Sequence, residues 1–167
     1  MIILLSGSKG AGKSTAANIL LPKISNAVYL SIDEVRRSLP ADSNKDILEK
    51  NKEAFEIMIA KTKLALHEQM NVVVDCGVSE ERAARFEAIA KETETPLHKF
   101  FLRASYETQL ERVRDRDKAK GRESTDVVRF DEIYHYFSKN SLDGYVVLET
   151  DKLDEQQVVE TILATIS

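Results

Sequence analysis

The feature that most constrains this chain is the run Gly7-Ser8-Lys9-Gly10-Ala11-Gly12-Lys13-Ser14-Thr15, set directly after the apolar stretch 2–6. It fits the spacing G-x-x-x-x-G-K-[ST], in which backbone N–H groups turn inward on phosphate oxygens and glycines permit the close approach. An apolar strand enters the loop and a helix, Ser14 to Leu21, leaves it, which is the context the motif needs. Lys13 is then placed to reach β- and γ-phosphates, and the Ser14 hydroxyl to ligate Mg²⁺. A glycine-rich turn without a ligand is the plain alternative, and the complete motif in this context outweighs it. The expectation is a bound nucleoside triphosphate.

Apolar runs of strand length recur at 2–6, 27–32, 71–76, 98–103 and 144–149. Between them lie helical patterns at 13–21, 33–39, 46–70, 79–93, 105–118 and 124–138. A last helix at 154–166 opens on Asp154 and Gln157 as a capping box. Near-continuous Val/Ile/Leu strands suit a parallel sheet buried on both faces, with helices as crossovers. The pattern predicts an α/β fold in one domain of 167 residues: five parallel strands, helices on both faces, and a basic lid segment over roughly 112–129.

Composition removes several classes. The longest apolar runs fall far short of the ~20 residues of a membrane span. "MIILL" leads into the glycine loop and not into a cleavage site, so it does not read as a signal peptide. One cysteine, Cys76, excludes an internal disulfide and a multi-cysteine zinc site, and the cytoplasm is the expected compartment. The net charge of −4 argues against a protein that coats nucleic acid. Residues 99–129 nevertheless carry nine Lys/Arg against six Asp/Glu, a local +3 that suits a small anionic ligand. A Ras-type GTPase would need Asn-Lys-x-Asp, but the run Ser43-Asn44-Lys45-Asp46 has the wrong spacing and Asp151-Lys152-Leu153-Asp154 has Asp where Asn belongs. An oligomeric AAA+ motor would need a further helical domain. What remains favoured is an ATP-dependent kinase, because a compact phosphate-loop domain with interposed helices suits transfer to a small acceptor.

After the second strand comes Asp33-Glu34-Val35-Arg36-Arg37. Ligands of open α/β folds sit at the carboxyl ends of strands, so Asp33 lies near the γ-phosphate, where a carboxylate accepts the proton of an attacking hydroxyl. Arg36 follows at i+3 on the same face. Asp33 could equally cap a short helix and pair with Arg37. Asp75 ends the run Val72-Val73-Val74 in the Walker B manner, to orient Mg²⁺ through water or to hold the acceptor; Ser79 is the better cap for the helix that follows. In the basic segment Arg112 and Arg116 share one helical face, opposite Arg114, and are the cations singled out for the triphosphate. The other cations there read as a solvated face neutralised by Glu111, Asp115 and Asp117.

These motifs together resemble the P-loop kinases of the polynucleotide 5′-kinase type, with zeta-toxin and small antibiotic-phosphotransferase kinases as more distant relatives. "GSKGAGKST" matches the phosphate loop, "YLSIDEVRRSL" resembles the Asp-x-x-Arg block, "VVVDCGVSEERAARFEAIAKE" the third strand and its helix, and "LERVRDRDKAKGRESTDVVR" the lid with paired arginines. The resemblance implies a P-loop kinase fold using ATP and Mg²⁺. It makes Asp33 the general base and puts Arg36 on the acceptor. Lys13, Ser14 and Arg116 would act on the donor phosphates, and Arg112 on the nucleotide. The implied acceptor is a nucleic-acid end, or else a small hydroxylated molecule; an NTP-binding regulatory module with slow hydrolysis is the reading outside kinases. The chain departs from the family after Asp75, where Cys76-Gly77-Val78 replaces Thr or Ala followed by Thr and Asn.

Other residues read as structural. Phe55, Ile59, Thr62 and Leu66 form a core stripe, and helical spacing assigns packing to part of the group Tyr134, Tyr136 and Phe137. His67, His98 and His135 lack metal-ligand spacing, and Cys76 has no histidine beside it.

Overall fold

The computed structural model describes residues 1–40, 46–77, 79–122, 124–139 and 141–167. Ser43, Asn44 and Lys45 of the rejected guanine motif, Val78 and Glu123 lie outside them. Strands β1 (Ile2–Ser6), β2 (Ala27–Ser31), β3 (Asn71–Asp75), β4 (Leu97–Arg103) and β5 (Val146–Glu149) form one all-parallel sheet in the order β2-β3-β1-β4-β5. The helices between them are α1 (Lys13–Leu20), α2 (Ile32–Ser38), α3 (Ile47–His67), α4 (Glu80–Glu92), α5 (Tyr106–Ala119) and α6 (Val127–Ser138), and α7 (Glu155–Ile166) follows β5. Among the described residues no helix is long and apolar enough to cross a membrane.

β1 is buried along its whole length, and its alternation serves two cores at once. Ile2 and Leu4 face a cluster with Phe55 and Met58 of α3 and Phe86 of α4. Ile3 and Leu5 face Ala17 and Leu20 of α1 and Val158 and Ile162 of α7. Full burial of each large aliphatic chain contributes roughly 1.5–3 kcal/mol, so the strand that feeds the glycine loop is the best anchored in the sheet. The expected stripe on α3 is core: Phe55, Ile59 and Thr62 are buried and Leu66 packs against the same cluster. α5 and α6 pair through Leu110, Val113 and Phe130, with Tyr106 and Tyr134 against them, giving the lid segment a small core of its own.

Element ends differ from the sequence expectation where backbone hydrogen bonds override periodicity. α3 stops at His67 and not at residue 70, because Gln69 turns to φ 58 while its N–H donates to Leu66 O and that of Met70 to Ala65 O. That is a Schellman closure made with a non-glycine residue. β5 begins at Val146 and not at residue 144, since Gly144 lies at φ 73 and Tyr145 N donates to Leu142 O. Ser79 caps α4, and the Asp154–Gln157 capping box opens α7 as expected.

Candidate active site

The carboxyl ends of β1, β2 and β3 open into one cleft of about 920 Å³. Neighbouring chains dictate the loop leaving β1. A Cβ on Gly7 would stand 2.2 Å from Leu102 O, and one on Gly10, at φ 84, would stand 2.5 Å from Gln109 O. No side chain caps α1, whose first-turn N–H groups are therefore left for a ligand. Lys13 Nζ donates to Gly7 O at 2.9 Å and Ser8 O at 3.0 Å, which lays the ammonium across the loop mouth. Gly7, Lys9, Gly10, Gly12, Lys13, Ser14 and Thr15 line the cleft. Ser8 and Ala11 face inward: the Ser8 hydroxyl donates to Gln109 Oε1, and Ala11 is fully buried.

Asp75 ends β3 and is nearly enclosed, with 4% exposure. Its Oδ2 accepts from Ser14 Oγ at 2.5 Å and from Tyr29 OH at 3.0 Å. Burial, and then the Asp75 carboxylate, push the Tyr29 phenol up to about 12. A hydroxyl and a carboxylate side by side are the hard oxygen donors that Mg²⁺ takes, and they fit that ion. Among the described residues no group of three His, Cys, Asp or Glu could hold a metal unaided, so phosphate oxygens and water would complete the shell.

Asp33 sits in the first turn of α2, and its Oδ1 accepts from Arg36 Nη2 at 2.7 Å. The partner is Arg36 at i+3 and not Arg37, and the N-cap position belongs to Ser31, so the capping alternative does not describe α2. Arg36 Nη1 donates to Asn51 Oδ1 at 3.0 Å, fixing the guanidinium between α2 and α3. Both side chains line the same cleft as the phosphate loop.

On the lid side Arg112 is pinned at both Nη atoms, to Thr150 Oγ1 at 2.9 Å, Thr150 O at 2.7 Å and Gly10 O at 3.3 Å. Arg116 lines the cleft, joined by Arg122 and Arg129, which the sequence had assigned to a solvated face; Arg114, Lys118 and Lys120 stay outside the lining. Asp117 is buried and accepts from Arg122 Nη1 at 2.9 Å and Thr125 Oγ1 at 3.0 Å. Burial pushes its carboxyl up, but the Thr125 hydrogen bond and the charges of Lys9, Arg116 and Arg122 outweigh that and hold it below the usual range. Burial, and then Arg116, depress the Lys9 ammonium. Cys76 is fully buried, and burial pushes its thiol up to about 12, in keeping with a structural role.

Sequence reasoning missed Tyr29, Gln109 and Thr150. Gln109 is 1% exposed, accepts from Ser8 and donates through Nε2 to Ala104 O at 2.8 Å. Thr150 Oγ1 lies 3.1 Å from Ala11 O and 3.2 Å from Arg103 O. None of the three stands at a motif position; their roles arise from strand order.

A family described as an AAA domain matches residues 2–139. No curated protein matches the chain. Among solved structures, the tunicamycin resistance protein of Deinococcus radiodurans is 21% identical, with 99% of this chain and 95% of that chain covered at a TM-score of 0.70. Kti12 of Chaetomium thermophilum, in complex with ADP-AlF3, is 16% identical over 100% of both chains, with a TM-score of 0.70. A sugar kinase from Janibacter sp. HTCC2649 is 14% identical, covering 98% and 92%, with a TM-score of 0.66. Likeness at these identities establishes the shared P-loop kinase fold.

Proposed function

The chain belongs to the AAA domain family, which matches it over residues 2–139, and from that premise we propose that it is an ATP-dependent phosphotransferase that moves the γ-phosphoryl group of ATP to an acceptor hydroxyl. The observation that carries this reading is that one cleft contains the phosphate loop, Asp75 and the Asp33–Arg36 pair. The sugar kinase with the same fold and the ADP-AlF3 complex of Kti12 support donor and reaction class. In this reading the chain is one domain, at work in the cytoplasm.

The loop amides and Lys13 bind the β- and γ-phosphates, and Arg116 approaches the transferred group, where fixed cations stabilise developing charge. Arg112 orients the nucleotide from the lid. Ser14 and Asp75, the latter through water, would hold Mg²⁺, which would supply neutralisation of the phosphate charge. Asp33 takes the acceptor proton, and Arg36 orients both Asp33 and the acceptor. The acceptor is the 5′-hydroxyl of a polynucleotide or nucleoside, or a hydroxyl on a small metabolite or antibiotic.

The test is label transfer from γ-labelled ATP with Mg²⁺ to a 5′-hydroxyl oligonucleotide, its 5′-phosphorylated twin, nucleosides and small hydroxylated compounds. Asp33→Ala is expected to lower kcat by about 10²–10⁴ with nucleotide affinity unchanged. Acceptor-independent ADP release, equal in the variant, would instead point to a regulatory module with slow hydrolysis.

A further inference from the structure

The cleft that holds the phosphate loop and Asp33 also carries an apolar lining. Ile32 of α2, Ile47 of α3, and Ile133 and Phe137 of α6 line the same cleft as Asp33. The three core clusters leave out Ile47, Ile133 and Phe137, and Ile47 is 43% exposed to this space. Phe137 rests on Gly77: a Cβ built on Gly77 would stand 2.8 Å from Phe137 Cζ, well inside the ~3.5 Å at which carbon atoms meet. Behind it the Phe101 ring supports Phe137 at 6.5 Å between centroids. The replacement of a side chain by glycine after Asp75 therefore has a physical counterpart. An aromatic ring occupies the place where a β-carbon and its polar substituent would lie.

Charge points the same way. The segments that bring these apolar residues to the cleft, 32–38, 46–53 and 126–139, carry eight Asp/Glu against six Lys/Arg, a net −2. A strand leaving the cleft here would pass along walls that repel its phosphates, whereas strand-binding surfaces are basic grooves with steep salt dependence. The two Nη groups of Arg36 already donate to Asp33 and Asn51.

We propose that the acceptor is one small, uncharged hydroxylated molecule with a planar or apolar body, of nucleoside size or less and without a phosphate chain. Its body lies on Phe137, between Ile47 and Ile133, and its hydroxyl points at Asp33. This rests on the kinase reading: the hydroxyl proton passes to the Asp33 carboxylate as the acceptor O–P bond forms, and the bond from Pγ to the bridging oxygen breaks to release ADP. Gly77 and Phe137 together set acceptor specificity.

The experiment combines transfer with an equilibrium reporter. The chain contains no tryptophan, so Phe137→Trp supplies a single fluorophore at the proposed contact. That variant is titrated with adenosine, uridine, phenolic and benzylic alcohols, glucose and a 5′-hydroxyl dodecanucleotide, each at low and high salt. Label transfer to the same panel is measured for wild type, Phe137→Ala and Phe137→Tyr. Expected is saturable quenching by, and transfer to, a ring-bearing neutral compound with little salt dependence. Phe137→Ala should raise its KM about tenfold, leave the KM for ATP within twofold, and be rescued by Phe137→Tyr. Preferential phosphorylation of the dodecanucleotide with steep salt dependence would overturn the inference while leaving the kinase reading intact. So would phosphorylation of glucose with a KM indifferent to Phe137→Ala. Quenching without transfer to any compound would sink the kinase reading and the acceptor role with it, leaving a ring-binding site alone. Absence of both quenching and transfer across the whole panel would overturn the inference.

Discussion

Tyr29→Phe removes one hydroxyl and leaves Ser14 as the donor to Asp75 Oδ2. A hydrogen bond to a charged acceptor contributes about 1.5–3 kcal/mol. The phenol is partly buried, so solvent screening brings the expected loss of stability to about 1–2 kcal/mol. The sign with pH follows from the direction of the shift. The folded chain holds the phenol proton more tightly than the unfolded chain, where it leaves near pH ~10. The contribution is therefore fully present below pH ~10 and is lost as pH rises through about 12. Urea unfolding of wild type and variant in parallel, at pH 7 and at steps from pH 9 to 12, isolates the effect, because other alkaline titrations are common to both proteins. A difference below about 0.3 kcal/mol at pH 7, or one that fails to narrow above pH 10, would refute the argument.

Gly10→Ala would drive a Cβ to 2.5 Å from Gln109 O at a φ of 84, so nucleotide binding by calorimetry should fall at least tenfold while far-ultraviolet circular dichroism is retained. Gln69→Gly relieves a non-glycine residue at φ 58 and should raise stability by about 1 kcal/mol, seen as an increase of roughly 2–4 °C in Tm. With its thiol pushed up to about 12 and fully buried, Cys76 should resist a disulfide reagent at pH 8 until the chain is unfolded, and fast native-state labelling would refute that.

The sheet was legible because its strands are Val/Ile/Leu runs that two covered faces demand, and the loop because its backbone geometry admits few residue types. Asp33 and Arg36 were legible as an i, i+3 pair, but their link to Asn51 joins residues 15 apart on two helices and leaves no pattern. Tyr29 reads as an ordinary β-strand aromatic, and only the placement of β2 beside β3 brings its hydroxyl to Asp75. Arg122 and Arg129 looked like solvated charge because the turn that folds them over the cleft is set by Asp117, whose burial has no local signature. Gly77 looked like a lost contact until the ring of Phe137, sixty residues later in the chain, was seen to fill its place.

β5 and α7 lie beyond residue 139, where the family match ends, yet Thr150 stands within hydrogen-bonding distance of both the phosphate loop and Arg112. α7 also covers the face of the sheet formed by Ile3 and Leu5. The shared region is therefore not a portable cassette. A fragment cut at its boundary would keep every residue of the glycine motif, but would lose the tether that registers loop against lid helix and expose the inner face of β1. Grafting the motif into another scaffold would require carrying this C-terminal buttress with it.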